Sequence, residues 1–170
     1  MSAKVAVVMG SDSDFEIVRN TLTELERFDI SYEVMVCSAH RTPEHAADLA
    51  RTARGCGFKV IIAAAGKAAH LPGILAAHTT LPVIGLPVRS SFMDGLDSLL
   101  SIVQMPEGVP VAAVGVNGSR NAALLAIQIL ALNDDELSKK LSDHKDEMKD
   151  AVLRNDAALK SRLKGNSREQ

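Results

Sequence analysis

The sequence predicts an α/β protein, with a five-stranded parallel sheet covered by helices on both faces and a long C-terminal helix after it. Three observations carry this reading. Short β-branched runs recur at intervals of roughly 20 to 30 residues and alternate with helical patterns, the order expected of linked βαβ units. Most of these runs are apolar throughout instead of alternating, as in strands covered on both faces. Small and polar residues gather directly after each run, where an open parallel sheet turns its loops toward one edge.

The first strand is Val5 to Met9. Only Lys4 precedes it as a charge and no small-residue cleavage pattern follows, so the N-terminus reads as a strand and not as a signal peptide. Gly10-Ser11-Asp12-Ser13-Asp14 comes next, with a helix beginning near Asp14. The second strand, Ser31 to Val36, leads through Ser38-Ala39-His40-Arg41-Thr42 into a helix at Pro43. There Thr42 can cap, Pro43 suits the first helical position and Glu44 faces the positive end of the helix dipole. Val60 to Ala64 forms the third strand, followed by Gly66-Lys67-Ala68-Ala69-His70 and a helix near Ala69. Val83 to Leu86 is the fourth, with Pro87 to Ser91 behind it and a helix near Met93. Val111 to Val116 is the fifth, followed by Asn117-Gly118-Ser119 and a helix near Arg120.

From Asn133 the composition shifts toward Asp, Glu and Lys, while Leu137, Leu141, Met148, Val152, Leu159 and Leu163 recur at steps of four and seven. That spacing predicts an amphipathic helix, interrupted near Asn155. The expected organisation is an α/β domain over 1–133, a helix over 134–163 packing on the same or a neighbouring subunit, and a tail over 164–170.

A chain of 170 residues is about one domain, and 46% hydrophobic against 24% charged residues is ordinary globular usage, which excludes disordered and fibrous classes. Nineteen basic against 21 acidic residues give a net charge of −2, which argues against a broad grip on nucleic acid. With no Trp, one Tyr and four Phe there is little to stack bases on. No run approaches the ~20 apolar residues of a membrane span. Cys37 and Cys56 are too few for a disulfide framework and lack metal-ligand spacing; both read as small buried hydrophobes in a protein of the reducing cytoplasm.

Three loops hold the residues able to carry chemistry. Ser11, Ser13 and Asp14 stand at a strand-to-helix junction, either as an anion-binding loop or as a capped helix start; the glycine pattern matches neither a P-loop nor a dinucleotide fingerprint. His40 and Arg41 at the end of a strand are either an imidazole able to exchange protons beside a fixed cation suited to phosphate, or a solvent-facing pair on an ordinary loop. His70 lies among small and apolar residues, as a core histidine or beside a dry cavity. His45 and His78 read as structural or surface residues and His144 as solvated; no histidine pair has the spacing of a zinc site, and no cofactor or metal motif is present.

The segments Met9-Gly10-Ser11-Asp12-Ser13-Asp14, Ser38-Ala39-His40-Arg41-Thr42-Pro43, Ala68-Ala69-His70-Leu71-Pro72-Gly73 and Ser101-Ile102-Val103-Gln104-Met105-Pro106, with Gly108-Val109-Pro110-Val111, resemble in order and spacing the signatures of the 5-(carboxyamino)imidazole ribonucleotide mutase family. The resemblance covers about residues 3 to 135. It implies a flavodoxin-like three-layer α/β/α sandwich, assembled as a homo-octamer. It implies an isomerase of purine (IMP) biosynthesis that moves a carboxylate from the exocyclic amine to ring carbon four of an imidazole ribonucleotide, by release and recapture of carbon dioxide and without a cofactor. By the same resemblance His40 is the general acid and base, and His70 is a second catalytic residue. Ser11, Ser13, Asp14 and Arg41 hold phosphate and ribose, Ser38 supports that grip, and the loop of Gly66, Ala68, Ala69, His70 and Leu71 lines the carbon dioxide pocket.

Small side chains at Ala65, Gly66, Ala68 and Ala69 agree with a gas-sized, poorly wetted pocket. Ala64 and Lys67 depart from the family's usual Ala-Gly-Ala-Gly-Gly-Ala-Ala-His by replacing glycines. If either glycine served a positive φ, its loss costs on the order of 1 kcal/mol. Two other readings remain. One is an aminoimidazole ribonucleotide carboxylase taking free carbon dioxide. The other is a non-catalytic flavodoxin-like nucleotide-binding module, against which the scarcity of aromatic residues argues.

Overall fold

The computed structural model describes residues 4–166, with side chains through 163. Contacts divide the chain into two compact units, 1–130 and 131–170. The first is a five-stranded, wholly parallel sheet of order β2-β1-β3-β4-β5, formed by β1 (Val5–Met9), β2 (Tyr32–Val36), β3 (Val60–Gly66), β4 (Val83–Val88) and β5 (Ala112–Ala113). Its helices are α1 (Phe15–Arg27), α2 (Pro43–Ala53), α3 (Leu71–His78), α4 (Leu96–Val103) and α5 (Ser119–Ala131). This is the predicted α/β fold, in the flavodoxin-like strand order.

The three inner strands are buried along their whole length apart from Gly66, which is why their sequences lack alternation. Ala6 and Val8 of β1, with Ile61, Ala63 and Ala65 of β3, meet the alanines of α2 (Ala46, Ala50, Ala53), Leu71 and Leu75 of α3 and Ile102 of α4. The alternate residues Val5, Val7, Ile62, Ile84 and Leu86 are also fully or almost fully buried. On α1 and α5, tied together by the Thr21 hydroxyl donating to the Ser119 carbonyl, Val18, Leu25, Ala122, Ala126 and Ile127 are likewise buried. Each such large aliphatic side chain contributes roughly 1.5 to 3 kcal/mol. Gly85 has no room for a Cβ, which would collide with the Ile102 side chain, so its glycine sets how closely α4 approaches β4.

The edge strands differ from the inner ones. β2 is only partly buried, with Val36 54% exposed, because it has a neighbour on one side only. β5 shrinks from the expected Val111–Val116 to two residues. Pro110 before it has no N–H to give, and the chain turns after Val114, where Gly118 donates to the Gly115 carbonyl. The first helix is preceded by a 3-10 turn at Asp12–Asp14 and the fourth by one at Met93–Gly95. Thr42 occupies the N-cap of α2 without capping: its hydroxyl donates to the Ser38 carbonyl and accepts from the Ser38 amide. Cys37 is buried, and burial pushes its thiol pKa up. Cys56, expected inside, is exposed in the Gly55-Cys56-Gly57 turn between α2 and β3.

In the second unit, α6 (Asp135–Asn166) runs unbroken through Asn155; no proline or glycine lies near that position to interrupt it. It also continues past the expected end at 163, and the rest of the expected tail, 167–170, lies outside the described residues. Met148, Val152, Leu159 and Leu163 are 47–66% exposed. His144, expected in solvent, keeps only 12% of its side-chain surface exposed, with Nδ1 3.9 Å from Glu147 Oε2.

Of the two glycine replacements, Ala64 sits in regular β3, paired with Met9 and Leu86, and carries no strain. Lys67 takes the left-handed conformation, φ +56°. A side chain there costs about 1–2 kcal/mol, partly offset on going to glycine by about 0.4–1 kcal/mol of unfolded-chain entropy. Lys67→Gly is therefore expected to stabilise the fold by up to about 1 kcal/mol, measured by urea unfolding; a clear loss of stability would contradict this assignment of strain.

Candidate active site

Strand register brings the chemistry-bearing loops level with one another. Met9 pairs with Val36 on one side and Ala64 on the other, so the chain leaves the sheet at neighbouring points after β1, β2 and β3. Two further ladder bonds carry that alignment past the strand ends, Cys37 N–H to the Met9 carbonyl at 2.8 Å and Gly10 N–H to the Ala64 carbonyl at 3.0 Å. The strand order reverses at β1, and the crevice beside it is where this fold takes ligands.

A cleft of about 670 Å³ opens there, a size suited to a nucleotide-sized molecule. The first loop contributes Gly10, Ser11, Ser13 and Asp14. Ser11 stands at the N-cap of the 3-10 turn, where its oxygen accepts from the Ser13 amide at 3.3 Å and the Ser13 hydroxyl at 2.9 Å. Asp14 is half-buried at the start of α1. Burial pushes its carboxyl pKa above the ordinary 3.8, the nearby Asp12 adds to this, and bonds from the Ser13 side chain and Ser11 backbone pull the other way.

From the second loop come Ser38, His40 and Arg41. The Arg41 guanidinium is anchored by the Gly10 carbonyl at 3.1 Å and the Ser38 hydroxyl at 3.3 Å, and its backbone amide also donates to that hydroxyl. Both anchors are neutral, so the charge of Arg41 is positioned without being compensated. From the third loop come Gly66, Lys67, Ala68, His70 and Leu71. His70 sits at the N-cap of α3, exposed and not within the core. Its Nδ1 lies 2.7 Å from His40 Nε2, with the rings edge-on, 4.9 Å between centroids. A separation that short places one proton between the two nitrogens, donated by one ring to the other.

Every residue that the resemblance assigns to catalysis or substrate binding lines the cleft except Ala69, which is 2% exposed and packs into the core beneath the loop. His45 and His78 are exposed and away from the cleft. Val88, Arg89 and Ser90 were not singled out, although their position directly after a strand was the available signal. Arg89 binds Asp94 Oδ1 through Nη2 at 2.7 Å and Nε at 3.1 Å, and its amide donates to the Asn117 side chain at 2.9 Å. Among the described residues, no group of three or more His, Cys, Asp or Glu side chains could hold a metal ion.

Comparison with known proteins identifies the family of the chain. The AIR carboxylase family profile matches residues 4–151. The chain belongs to that family. It is 55% identical over 146 residues to the N5-carboxyaminoimidazole ribonucleotide mutase of Pyrococcus abyssi, an alignment covering 86% of this chain and 84% of that protein. It is 51% identical to the chloroplastic phosphoribosylaminoimidazole carboxylase of Vigna aconitifolia over 90% of this chain, which spans 28% of that longer protein. The crystal structure of Treponema denticola PurE superposes with a TM-score of 0.85 at 28% identity, covering 92% of this chain and 98% of that one.

The raised pKa of Asp14 gives a pH test. Between pH 3.8 and the folded value the native state binds more protons than the unfolded one, so native stability falls as pH rises through that window. Asp14→Asn removes the effect. The variant is expected to unfold at higher urea than wild type near neutrality, with the difference vanishing below pH 3.8. A difference independent of pH would contradict it.

Proposed function

We propose that this member of the family is an N5-carboxyaminoimidazole ribonucleotide mutase, an isomerase acting in purine biosynthesis. The observation that carries the proposal is the hydrogen-bonded His40–His70 pair, set beside an uncompensated Arg41 in a nucleotide-sized cleft. High identity to mutases along most of the chain supports the same reaction.

The reaction breaks the bond between the exocyclic nitrogen and the carboxylate carbon, releases carbon dioxide within the cleft, and forms a bond from ring carbon four to that carbon. The electron pair left on nitrogen takes a proton, and ring carbon four loses one. Nothing is oxidised or reduced, so one imidazole able to give and then take a proton suffices. His40 fills that role, a positioned acid and base contributing typically 10²- to 10⁴-fold. His70, sharing a proton with it, holds the ring orientation and receives or returns charge through the shared bond. Ser11, Ser13 and Arg41 hold the phosphate, Asp14 the ribose hydroxyls, and Ser38 supports Arg41. Gly66, Ala68 and Leu71 line the side where carbon dioxide is held.

The match to a carboxylase supports one second reading, use of free carbon dioxide with aminoimidazole ribonucleotide. Assaying the carboxyamino and the uncarboxylated substrates at low bicarbonate, by ultraviolet absorbance of the imidazole, separates the two. Turnover of the carboxyamino substrate alone is expected. His40→Asn is expected to abolish turnover and leave nucleotide binding within about 1.4 kcal/mol, whereas Arg41→Ala chiefly weakens binding. Substantial residual turnover in His40→Asn would overturn its role.

We also infer a cytoplasmic homo-octamer in which α6 helps hold subunits together. No described helix is long and apolar enough to cross a membrane. The exposed Met148, Val152, Leu159 and Leu163 form apolar surface whose burial against a neighbouring subunit is favourable. Light scattering is expected to give several times the 18.1 kDa chain mass, and deletion from Asp134 to reduce assembly; an active 18.1 kDa particle at micromolar concentration would contradict it.

A further inference from the structure

We propose that Lys67 is a specificity-determining residue of the cleft, its ammonium gripping the carboxylate of the imidazole ribonucleotide while Arg41 grips the phosphate. This rests on the functional reading above and adds to it a residue whose charge selects carboxylated over uncarboxylated ligand.

Charge is unevenly distributed over the cleft. Three cations line the cleft, Arg41, Lys67 and Arg89, against one carboxylate, Asp14, in a chain whose net charge is −2. The three cations are not equivalent. Arg89 is neutralised by Asp94, which takes two of its N–H groups. Arg41 is held only by the neutral oxygens of Gly10 and Ser38. Lys67 has no side-chain hydrogen bond or ion pair among the described residues, and is exposed. The cleft therefore offers two uncompensated positive charges, and a ligand with two separate anionic groups meets both.

Placement agrees. Arg41 adjoins His40 in the chain, Lys67 lies three residues before His70, and the two histidines touch. Both cations therefore come from the two loops that bring the histidines together, and both line the same cleft. In the imidazole ribonucleotide the phosphate hangs from the ribose on one side of the ring and the carboxylate from the other, so a ring at the histidine pair leaves one cation for each anion. The left-handed backbone of Lys67 gives no structural reason for a side chain there, and strain of this kind collects where a residue is held for function.

The electrostatics also dictate the kinetic signature. Substrate and product both carry the carboxylate, but carbon dioxide is neutral, so Lys67 grips the ground states more strongly than the intermediate between them. Its loss weakens binding without lowering the chemical rate.

The test measures binding of the 4-carboxy ribonucleotide product and of uncarboxylated aminoimidazole ribonucleotide to full-length wild type, Lys67→Gln and Lys67→Arg by calorimetry, with steady-state kinetics alongside. Lys67→Gln keeps the Cβ and so the backbone strain. It is expected to weaken the carboxylated ligand about tenfold, to leave the uncarboxylated ligand within about twofold, and to raise KM without lowering kcat, with Lys67→Arg near wild type. Lys67→Gly, expected to be more stable, should show the same binding loss, which separates charge from folding. Equal changes for both ligands, no change for either, or a fall in kcat at unchanged KM would overturn the proposal and leave the mutase reading standing. Failure of wild type to bind either ribonucleotide would overturn both.

Discussion

The parallel register of β1 with β2 and β3 is the constraint on which the site depends. Pairing Met9 with both Val36 and Ala64 makes three loops leave the sheet side by side, and residues 30 positions apart in the chain then meet at 2.7 Å. A slip of one residue would turn every buried side chain of a strand to the opposite face, so the core enforces the register. Val5, Ala6, Val7 and Val8 are all fully buried, which makes any slip of β1 costly on both faces at once. The core of the sheet and the placement of the histidines are in this sense one requirement.

What the loops deliver is positioned charge with few internal partners. Arg41 is held by neutral oxygens, the histidines share one proton, and the buried side of Asp14 raises its carboxyl pKa. These features suit a reaction in which an anionic group moves and a proton is exchanged while no electron is transferred. The family to which the chain belongs, and its identity to mutases over most of its length, agree with that chemistry. Phosphate contacts contribute chiefly to affinity, which is why the two histidines and not the arginine are expected to govern rate.

Much of this was legible in the sequence, for reasons that also explain what was not. The buried inner strands announce themselves as unbroken apolar runs, and β1 falls at its predicted residues. The ends of β5 are set by a proline and a turn, and the partial exposure of β2 by its edge position, neither of which a local run reveals. Loop chemistry after β1, β2 and β3 could be read from residue types, but the His40–His70 contact depends on register between distant segments. Ala69 resembles its neighbours in composition yet packs inward, because the loop places Ala68 and His70 toward the cleft and leaves Ala69 against the core. Arg89 carried no motif, and only its place after β4 pointed to it. Cys56 was misplaced because a small apolar residue between two glycines belongs to a turn before it belongs to a core.

The proposed chemistry requires a single pose, with the imidazole at the histidine pair and the phosphate in the loop after β1. A crystal structure of the His40→Asn variant with the 4-carboxy ribonucleotide tests it most directly. The ring is expected beside position 40 and His70, with phosphate oxygens within hydrogen-bond distance of Ser11, Ser13 or Arg41. A nucleotide bound in the smaller hollow beside Asn20 and Asn117, or lying with its phosphate against the histidine loop, would contradict it.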